Sequence, residues 1–354
     1  MKKGMFKEML VGALALAMFF SAAGCGNSAG GSASASVAVK TGSETDSETE
    51  SGSDVKVALI LPGTANDKGW NQEAYDGLLE IEEAGIKTAY AENVAASDYE
   101  TTFRAYADQG YNVIIGHGSE FEDAASKVAA EYPDLYFGCT SSDIYAEPNL
   151  FSLQNLNNEQ GFLAGVVAAL ATETGTVAAI GGMEVPSIQS YILGFEQGVA
   201  YVDNGTVALT TYTGSFDDAT KVKEQALAYI GQGADIVSHD ADEAGLGLFE
   251  AVKDSADGVY AIGAVKDQYE ECPEKVLTSA TNAIGSAMAK VVVDYANGTD
   301  IEAICYKYGI AENVIGLADW HECADVLSDE EKGYVQDVMD KIVSGEIVVE
   351  SAQE

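Results

Sequence analysis

The strongest constraint on the fold is an alternation of short aliphatic runs with amphipathic stretches of helical length. The first run, VKVALIL at 55–61, is rich in β-branched residues and ends at Pro62 and Gly63. This pattern is typical of a strand buried on both faces of a parallel sheet. Similar runs follow: NVIIG at 112, LYFGCT at 135, TVAAIGG at 176, VALTTY at 207, ADIVSH at 234 and GVYAIGA at 258.

The stretches between these runs have the periodicity of amphipathic helices. In SDYETTFRAYADQGY the apolar residues Tyr99, Phe103 and Tyr106 recur at spacings of three and four. Ser97 is placed to cap the start of this helix, and Gly110 is placed to end it. DDATKVKEQALAYIGQG, from residue 217, repeats the plan with an acidic start and a glycine stop.

Strand and helix in alternation predict right-handed βαβ units and doubly wound parallel sheets, an α/β fold. Two sets are visible, one from 55 to 154 and one from 176 to 281. The segment NNEQGFLAGVVAALATE between them is rich in Gly and Ala, which suits close helix packing near an interdomain crossover. No GxGxxG follows a strand, so a dinucleotide-binding dehydrogenase is disfavoured.

Residues 1–24 have the features of a secretory signal peptide, with Lys2 and Lys3 before an apolar run. Small residues precede Cys25 and resemble a bacterial lipobox, although Ala22 replaces the usual Leu. This resemblance implies cleavage before Cys25 and lipid attachment to its sulfur. Residues 25–54 are rich in Gly, Ser, Ala and acidic residues, and we expect a flexible tether there. The expected location is the extracytoplasmic face of the cell membrane, with the protein anchored by lipid.

The charge and the cysteines exclude several classes of function. A formal net charge of −39 leaves no basic face for a nucleic acid, so nucleic acid is not an expected partner. The other cysteines are Cys139, Cys272, Cys305 and Cys323, widely spaced and without a CxxC pair, and we expect buried thiols or at most one bridge. The sequence predicts neither a metal site nor a cofactor.

Ligands of parallel α/β sheets bind outside the carboxyl ends of the strands, so residues directly after each run are candidates for a binding site. The two sets of strand ends are expected to face each other across a cleft. The candidates are Asn66, Asp67 and Trp70 after the first run, then His117, Phe121, Ser141, Met183, Phe216, Asp240, Asp242 and Lys266 after later runs.

Structural roles also fit several of these residues. Asp67 is placed to cap the helix that follows it. His117 either donates to a ligand or braces its loop, and Phe121 fits the first apolar position of a helix better than a wall of the site. Asp240 and Asp242 either contact the ligand or are solvated loop charges.

Several longer motifs occur together in one order: NDKGWNQEAYDGL, GYNVIIGHG, GFLAGVVAA, IGGMEVP, YTGSFDD, QGADIVSHDA, VLTS and IVSGEIVV. From Val55 onward the chain resembles the basic membrane protein family of ABC importer lipoproteins. The resemblance implies a type I periplasmic binding fold, with two lobes joined by crossover strands. Residues 55–154 with part of 282–320 would form the N-terminal lobe, and 155–281 with part of 321–354 the C-terminal lobe. The implied ligand is a purine nucleoside or related base.

Carried over by residue, the resemblance implies that Trp70 stands where family members carry a Phe that stacks on the purine. Stacking of a base on an aromatic ring contributes roughly 1 to 3 kcal/mol. Asn71 follows as in the family and joins the candidates.

Other positions depart from the family. Leu61, Ser141 and Val265 stand where nucleoside binders carry aspartates, and Asn282 replaces a common lysine. We therefore expect a purine base, or a nucleoside held in a modified pose.

The expected mechanism is a hinged trap that closes on its ligand and is then recognised by an ABC permease and ATPase on other chains. We expect a monomer. Two alternatives remain open at this point: a membrane-tethered sensor for a signalling receptor, and a nucleoside-cleaving enzyme. No GxSxG nucleophile motif accompanies the histidines, which disfavours the enzyme.

Overall fold

The computed structural model describes residues 40–41 and 54–353. The predicted signal peptide, Cys25 and most of the predicted tether lie outside the described residues. Within the tether, Lys40–Thr41 pairs antiparallel with Tyr90 and Ala89 at one edge of a sheet. These residues belong to one compact unit, Ala38–Glu354.

The strands of this unit are short and mostly parallel. They are β1 Lys40–Thr41, β2 Lys56–Ile60, β3 Lys87–Ala91, β4 Val113–Gly116, β5 Tyr136–Thr140, β6 Leu150–Asn155, β7 Thr176–Gly181, β8 Val207–Tyr212, β9 Ile236–Asp240, β10 Tyr260–Val265, β11 Val276–Asn282, β12 Cys305–Tyr308 and β13 Ile315–Leu317.

The strands form two sheets, one of order β1-β3-β2-β4-β5-β6-β12 and one of order β13-β11-β10-β9-β7-β8. Only the edge pairs β1 with β3 and β11 with β13 are antiparallel among the described strands. All seven aliphatic runs of the sequence are strands in these sheets, and the predicted α/β fold with two parallel sheets is confirmed.

Helices cover both faces of each sheet. They are α1 Trp70–Glu83, α2 Tyr99–Asp108, α3 Glu122–Ala129, α4 Asn157–Ala171, α5 Pro186–Val202, α6 Ala219–Gly231, α7 Leu246–Lys253, α8 Ile284–Ala296 and α9 Asp329–Val343. Helices α1 and α8 share one core with the first sheet, and α2 and α3 share another. Helices α4, α5 and α9 pack on one face of the second sheet, and α6 and α7 on the other.

We call the first sheet with its helices the N-terminal lobe and the second sheet with its helices the C-terminal lobe. The chain passes between the lobes three times, from β6 to α4, from β11 to α8 and from β12 to β13. The two lobes are therefore joined by three segments of the chain.

The crossing of α4 and α5 is close because glycines line it. A Cβ atom added to Gly161 would lie 1.9 Å from the carbonyl oxygen of Tyr191, and one added to Gly194 would lie 2.0 Å from that of Asn158. Two backbones at this distance exclude any larger residue at these positions. The expected close packing of the Gly- and Ala-rich helix is confirmed.

The structure corrects the predicted cap of α2 and shows the state of the four described cysteines. Ser97 does not cap α2, because the N-cap position is Asp98 and makes no side-chain capping bond. Ser97 instead bonds the carboxylate of Asp98, at 3.3 Å from Oγ to Oδ1. The four described cysteines are free, three buried and Cys305 half-buried, so no bridge forms among them.

Candidate functional site

A cavity of about 1190 Å³ lies between the two lobes, at the carboxyl ends of the strands of both sheets. Most ligand pockets enclose roughly 300 to 1,000 Å³, so size alone does not restrict the ligand to a bare base. The walls come from the segments after β2, β4 and β5 in one lobe and from those after β7, β8 and β9 in the other.

The side chains around the cavity are acidic. Among the described residues that line it there is no Lys, Arg or His. The carboxylates are those of Asp67, Glu120, Glu122, Asp143, Asp217, Asp240, Asp242 and Glu243. A wall of this sign disfavours anionic ligands and favours neutral or cationic ligands that donate hydrogen bonds.

Trp70, the first residue of α1, supplies an aromatic surface to the cavity. Its ring stacks on that of His117, with 4.0 Å between ring centroids and 23° between planes. The parallel register of β2 and β4 brings these distant residues together, since the His117 N–H donates to the carbonyl of Ile60 at 2.9 Å. His117 is fully buried behind the indole.

Two hydrogen bonds fix the tautomer of the His117 ring, and burial keeps the ring neutral. Its Nε2 lies 2.9 Å from the Trp70 carbonyl oxygen, and its Nδ1 lies 2.8 Å from the Thr140 hydroxyl. A carbonyl oxygen only accepts, so Nε2 carries the proton and Nδ1 accepts from Thr140. Burial lowers the pKa of His117 to about 4. His117 therefore holds the Trp70 segment in place without contributing charge.

Asp67 organises the turn before α1, but the N-cap position is Gly69 and not Asp67, which the capping prediction had named. Its Oδ1 accepts from the backbone N–H groups of Gly69 and Gln72, at 2.9 and 3.0 Å. Its Oδ2 accepts from Asn71, at 2.8 Å from the backbone nitrogen and 2.6 Å from Nδ2. The Asn71 side-chain oxygen in turn accepts from the Gly63 N–H at 3.2 Å. Both side chains line the cavity, but their hydrogen-bonding capacity is largely used within the turn.

Contacts between the lobes hold the cleft closed. The backbone N–H of Trp70 donates to Oδ1 of Asp242 at 3.2 Å. Burial, and then the negative charge of nearby Asp67, raise the pKa of the Asp242 carboxyl well above its usual range. The Lys266 ammonium lies 3.1 Å from the Glu73 carboxylate and 2.5 Å from that of Asp76, both on α1.

The wall of the C-terminal lobe ends in two buried polar side chains. Asp240 closes β9 with 5% of its surface exposed, and Asn282 closes β11 fully buried. Asp240 Oδ2 has no hydrogen-bond partner, and neither does Nδ2 or Oδ1 of Asn282. Burial raises the pKa of Asp240 to about 7. Both side chains line the cavity.

Apolar surface from this lobe comes from Met183 and Phe216, which line the cavity near its rim. Phe216 fits closely because Gly182 faces it: a Cβ at position 182 would lie 2.4 Å from the phenyl ring. Met183 has 43% of its surface exposed. These residues give the C-terminal lobe an apolar surface at the cavity.

The structure brings eight of the twelve candidate ligand residues to the cavity and leaves four outside its lining. The eight are Asp67, Trp70, Asn71, Ser141, Met183, Phe216, Asp240 and Asp242. Asn66 points to solvent on the outer side of its turn. His117 lies behind Trp70, and Lys266 is engaged in ion pairs between the lobes.

Phe121 is corrected from a possible wall of the site to a core residue. It is fully buried and packs on Tyr99, with 4.0 Å between ring centroids, and on Phe103. Glycine at position 116 makes room for it, since a Cβ there would lie 2.6 Å from the Phe121 side chain. Its ring therefore fills the space between α2 and β4.

Sequence reasoning missed several lining residues. Asn282 was noted only as a departure from the family, yet it ends a strand that points at the cavity. Gln154 and Asn157 line the cavity at the first crossing between lobes. Gln353 also lines it, held by its backbone N–H, which donates to the Ser190 hydroxyl at 3.0 Å. The strand-end rule would have found Asn282, whereas nothing in the sequence marked Gln353.

Two other properties bear on the site. Among the described residues, no group of three or more His, Cys, Asp or Glu side chains is arranged to hold a metal ion. Likewise, none of the helices in the described part of the chain has the length and apolar character needed to cross a membrane.

Comparison with known proteins gives a consistent picture. A sequence model of the Bmp family, described as ABC transporter substrate-binding protein PnrA-like, matches residues 54–353. The ABC transporter nucleoside-binding protein BmpA of Lactococcus lactis is 31% identical over 320 residues, covering 84% of this chain and 90% of that protein. Basic membrane protein A of Borreliella burgdorferi is 28% identical over 308 residues, covering 86% of this chain and 90% of that protein.

Solved structures share the fold. An ABC transporter solute-binding protein from Aeropyrum pernix superposes with a TM-score of 0.76 at 22% identity, over 85% of this chain and 94% of that chain. A protein from Bacillus halodurans described as a transcriptional activator of the comK gene superposes with a TM-score of 0.73 at 26% identity, over 83% of this chain and 100% of that chain. The architecture is that of the type I periplasmic binding proteins.

Proposed function

Because this chain belongs to the Bmp family of PnrA-like ABC transporter substrate-binding proteins, we propose that its cavity captures a purine nucleoside or a purine nucleobase for import. The family acts outside the cytoplasm, takes a small-molecule ligand and works with the permease and ATPase of an ABC importer. It is a family of binding proteins and not of enzymes, which removes the nucleoside-cleaving alternative.

The observation that carries the proposal is the stacked pair of Trp70 and His117 at the wall of the cavity. One face of the indole rests on the imidazole at 4.0 Å, and the indole lines the space between the lobes. A purine ring stacking on the face away from His117 would continue this stack, with about 1 to 3 kcal/mol per base. The name of the Lactococcus lactis relative, a nucleoside-binding protein, supports the same ligand class.

The acidic lining favours an unphosphorylated ligand. Two like unit charges 4 Å apart repel by about 4 kcal/mol at an effective dielectric constant of 20. None of the described lining residues supplies a cation that could offset a phosphate. The charge of the lining therefore supports a nucleoside or a base as the ligand rather than a nucleotide.

The choice between base and nucleoside depends on the residues around the sugar. Val265 lines the cavity and offers no hydrogen bond, and the Ser141 hydroxyl already donates to Asn155 at 2.9 Å. Leu61 is fully buried in the core of the N-terminal lobe. The aspartates that the family resemblance implies are thus replaced by two apolar side chains and one serine, which together offer fewer acceptors for ribose hydroxyls and favour a base or a nucleoside in a modified pose.

Capture would proceed by rotation of the lobes about the three crossings. The open form admits the ligand to Trp70, and closure forms the bond from Trp70 N–H to Asp242 and the Lys266 ion pairs. Closure removes water from the ligand, so that its polar groups must pair with the walls. The permease would recognise the closed form.

Anchoring to the membrane is part of the proposal. We expect a lipid on Cys25 after removal of residues 1–24, followed by a monomeric binding unit on the tether. Expression of the full chain with Cys25→Ala should release the protein from the membrane fraction into the medium or periplasm. Equal membrane association of the variant would contradict the anchor.

The proposal is tested by calorimetric titration of the protein, unfolded and refolded to remove retained ligand. Adenine, hypoxanthine, guanine, their nucleosides and the matching 5′-monophosphates form the panel. We expect at least one base or nucleoside to bind. The 5′-monophosphate of the matching nucleoside should bind at least 100-fold more weakly. A protein that binds none of the panel, or that prefers the monophosphate, would overturn the assignment. Nucleosides that bind far more tightly than every base would exclude the base as the ligand.

A further inference from the structure

The C-terminal lobe presents hydrogen-bonding atoms to the cavity that the protein itself does not satisfy. Within the described residues, buried side-chain nitrogen and oxygen atoms without a partner occur on Tyr106, Ser152, Asn158, His239, Asp240, Asn282 and Gln353. Of these, only Asp240, Asn282 and Gln353 line the cavity. An unpaired buried polar group costs about 1 to 3 kcal/mol, so a ligand that pairs with these atoms recovers that free energy.

Asn282 has the most specific requirement. Its amide is fully buried, and both the donor Nδ2 and the acceptor Oδ1 are unpartnered. A planar amide with both atoms free pairs best with a group that offers an acceptor and a donor side by side. The backbone of Asn282 pairs with Ile315 of β13, so the side chain is fixed at the strand end.

Asp240 adds an acceptor two strands away in the same sheet, since β10 lies between β9 and β11. Asn157 lies beside this carboxyl group, and Oδ2 has no hydrogen-bond partner. The Asn157 amide is also bonded to Asn155 at 2.9 Å and Gln160 at 3.3 Å, so it is engaged within the protein. Asp240 Oδ2 is therefore available for a hydrogen bond with a ligand.

We propose that Asn282 and Asp240 are specificity-determining residues that read a ligand edge carrying adjacent hydrogen-bond donors and acceptors. This inference rests on the proposed function, because it assigns a role to residues of the same cavity. Two parts of a purine nucleoside offer this chemistry: the C6 edge of the base, and the hydroxyls of the sugar. The two sources are distinguished by ligands that lack one or the other.

The test compares wild type with Asn282→Ala and Asp240→Asn by calorimetric titration. Adenosine and inosine carry both edges, purine riboside lacks the C6 substituent, and the 2′,3′-dideoxynucleosides lack the 2′ and 3′ hydroxyls of the sugar. We expect Asn282→Ala to weaken binding of the complete ligand at least tenfold and to change binding of one truncated ligand less than twofold. If Asn282→Ala weakens binding of the complete ligands but not of purine riboside, the contact is to the base. If it spares binding of the dideoxynucleosides instead, the contact is to the sugar.

Controls separate a lost contact from a disturbed fold. Asn297→Ala changes an exposed asparagine at the end of α8 and should leave every affinity unchanged. Asp240→Asn retains shape but replaces an acceptor oxygen with a donor, so it should weaken ligands that donate to position 240 and spare those that do not. Thermal unfolding of each variant verifies that the lobes are folded.

Equal loss of affinity for all ligands in both variants, or no loss in either, would overturn the specificity role while leaving the proposed function intact. Wild-type protein that binds neither bases nor nucleosides would overturn both. A selective loss for either class of truncated ligand supports the inference.

Discussion

The two walls of the cleft differ in how completely their polar groups are satisfied. On the N-terminal lobe, the Asp67 carboxylate accepts from the start of α1, and His117 bonds both Thr140 and the Trp70 carbonyl. On the C-terminal lobe, Asp240 and Asn282 keep three side-chain atoms unpaired. The polar groups behind the aromatic surface of the N-terminal wall are thus paired within the protein. Those of the C-terminal wall would be paired only by a bound ligand.

This difference suggests a division of labour between the lobes. A preorganised surface such as the Trp70–His117 stack needs little rearrangement when a flat ring settles on it. Unpaired groups on the opposite wall discriminate strongly, because a ligand that lacks the matching atoms leaves them buried and unsatisfied. The N-terminal lobe would therefore set the class of ligand, and the C-terminal lobe would select among its members.

The largest expected effect concerns the stability of the ligand-free protein at Asp240. Its pKa in the folded protein, about 7, lies above the usual value of 3.8, because burial disfavours the charged form. The folded state therefore holds the proton more tightly than the unfolded state, and the group's penalty grows as pH rises from about 4 to 7. Asp240→Asn should stabilise the ligand-free protein at pH 8 by roughly 2 to 4 kcal/mol and have little effect near pH 4.

Urea unfolding of ligand-free wild type and Asp240→Asn at pH 4.5 and pH 8 measures this difference. Asp134→Asn, at an exposed position, serves as the matched control and should be neutral at both values. Equal stability of wild type and Asp240→Asn at pH 8 would mean that the C-terminal wall carries no unmet charge, and the contrast between the walls would disappear.

Removing the aromatic surface should have the next largest effect. Trp70→Ala deletes the indole but retains the backbone N–H that bonds Asp242. Loss of stacking is expected to weaken binding of the preferred purine by at least tenfold, in line with roughly 1 to 3 kcal/mol per base. Trp70→Phe should retain most of the affinity because a ring remains. Calorimetry with both variants decides the point, and an unchanged affinity in Trp70→Ala would show that the N-terminal wall does not stack on the ligand.

The smallest effect is expected from the ion pairs that span the cleft. Lys266→Ala removes contacts to Glu73 and Asp76 that exist only while the lobes are together. Partly exposed ion pairs contribute about 0.2 to 1 kcal/mol, so ligand affinity should fall two- to fivefold, with a weaker dependence on salt. Lys290→Ala, whose partner Asp294 lies on the same helix, should leave affinity unchanged. Equal effects of the two substitutions would indicate that Lys266 does not act on closure.

Much of the fold followed from the sequence because buried parallel strands have an unmistakable composition. The strands that were missed lack it. KTAYA at Lys87–Ala91 mixes polar, small and aromatic residues, and LFSLQN at Leu150–Asn155 ends in two amide side chains that are buried by tertiary contacts. When the polar side chains of a strand form their hydrogen bonds through tertiary contacts, the sequence of that strand lacks the apolar pattern that predicts a buried strand.

The site was predictable to the extent that strand ends define it. Trp70, Asp240 and Asp242 were located correctly at the cavity by that rule. The pairing of His117 with Trp70 depends on the register of two strands, and the burial of Asn282 depends on tertiary packing around the end of β11. Neither distance nor burial of this kind is encoded within a local stretch of residues.

The bond between the Trp70 N–H and Asp242 makes this amide a hydrogen-exchange probe of cleft opening. This amide donates across the cleft to the other lobe and not within α1, so it becomes accessible to solvent deuterium only when the lobes part. Its rate of hydrogen exchange therefore reports opening at the same residue whose indole we propose to stack on the ligand. A ligand that slows this single amide, and leaves the amides within the helices of each lobe unchanged, holds the two lobes together without altering either one.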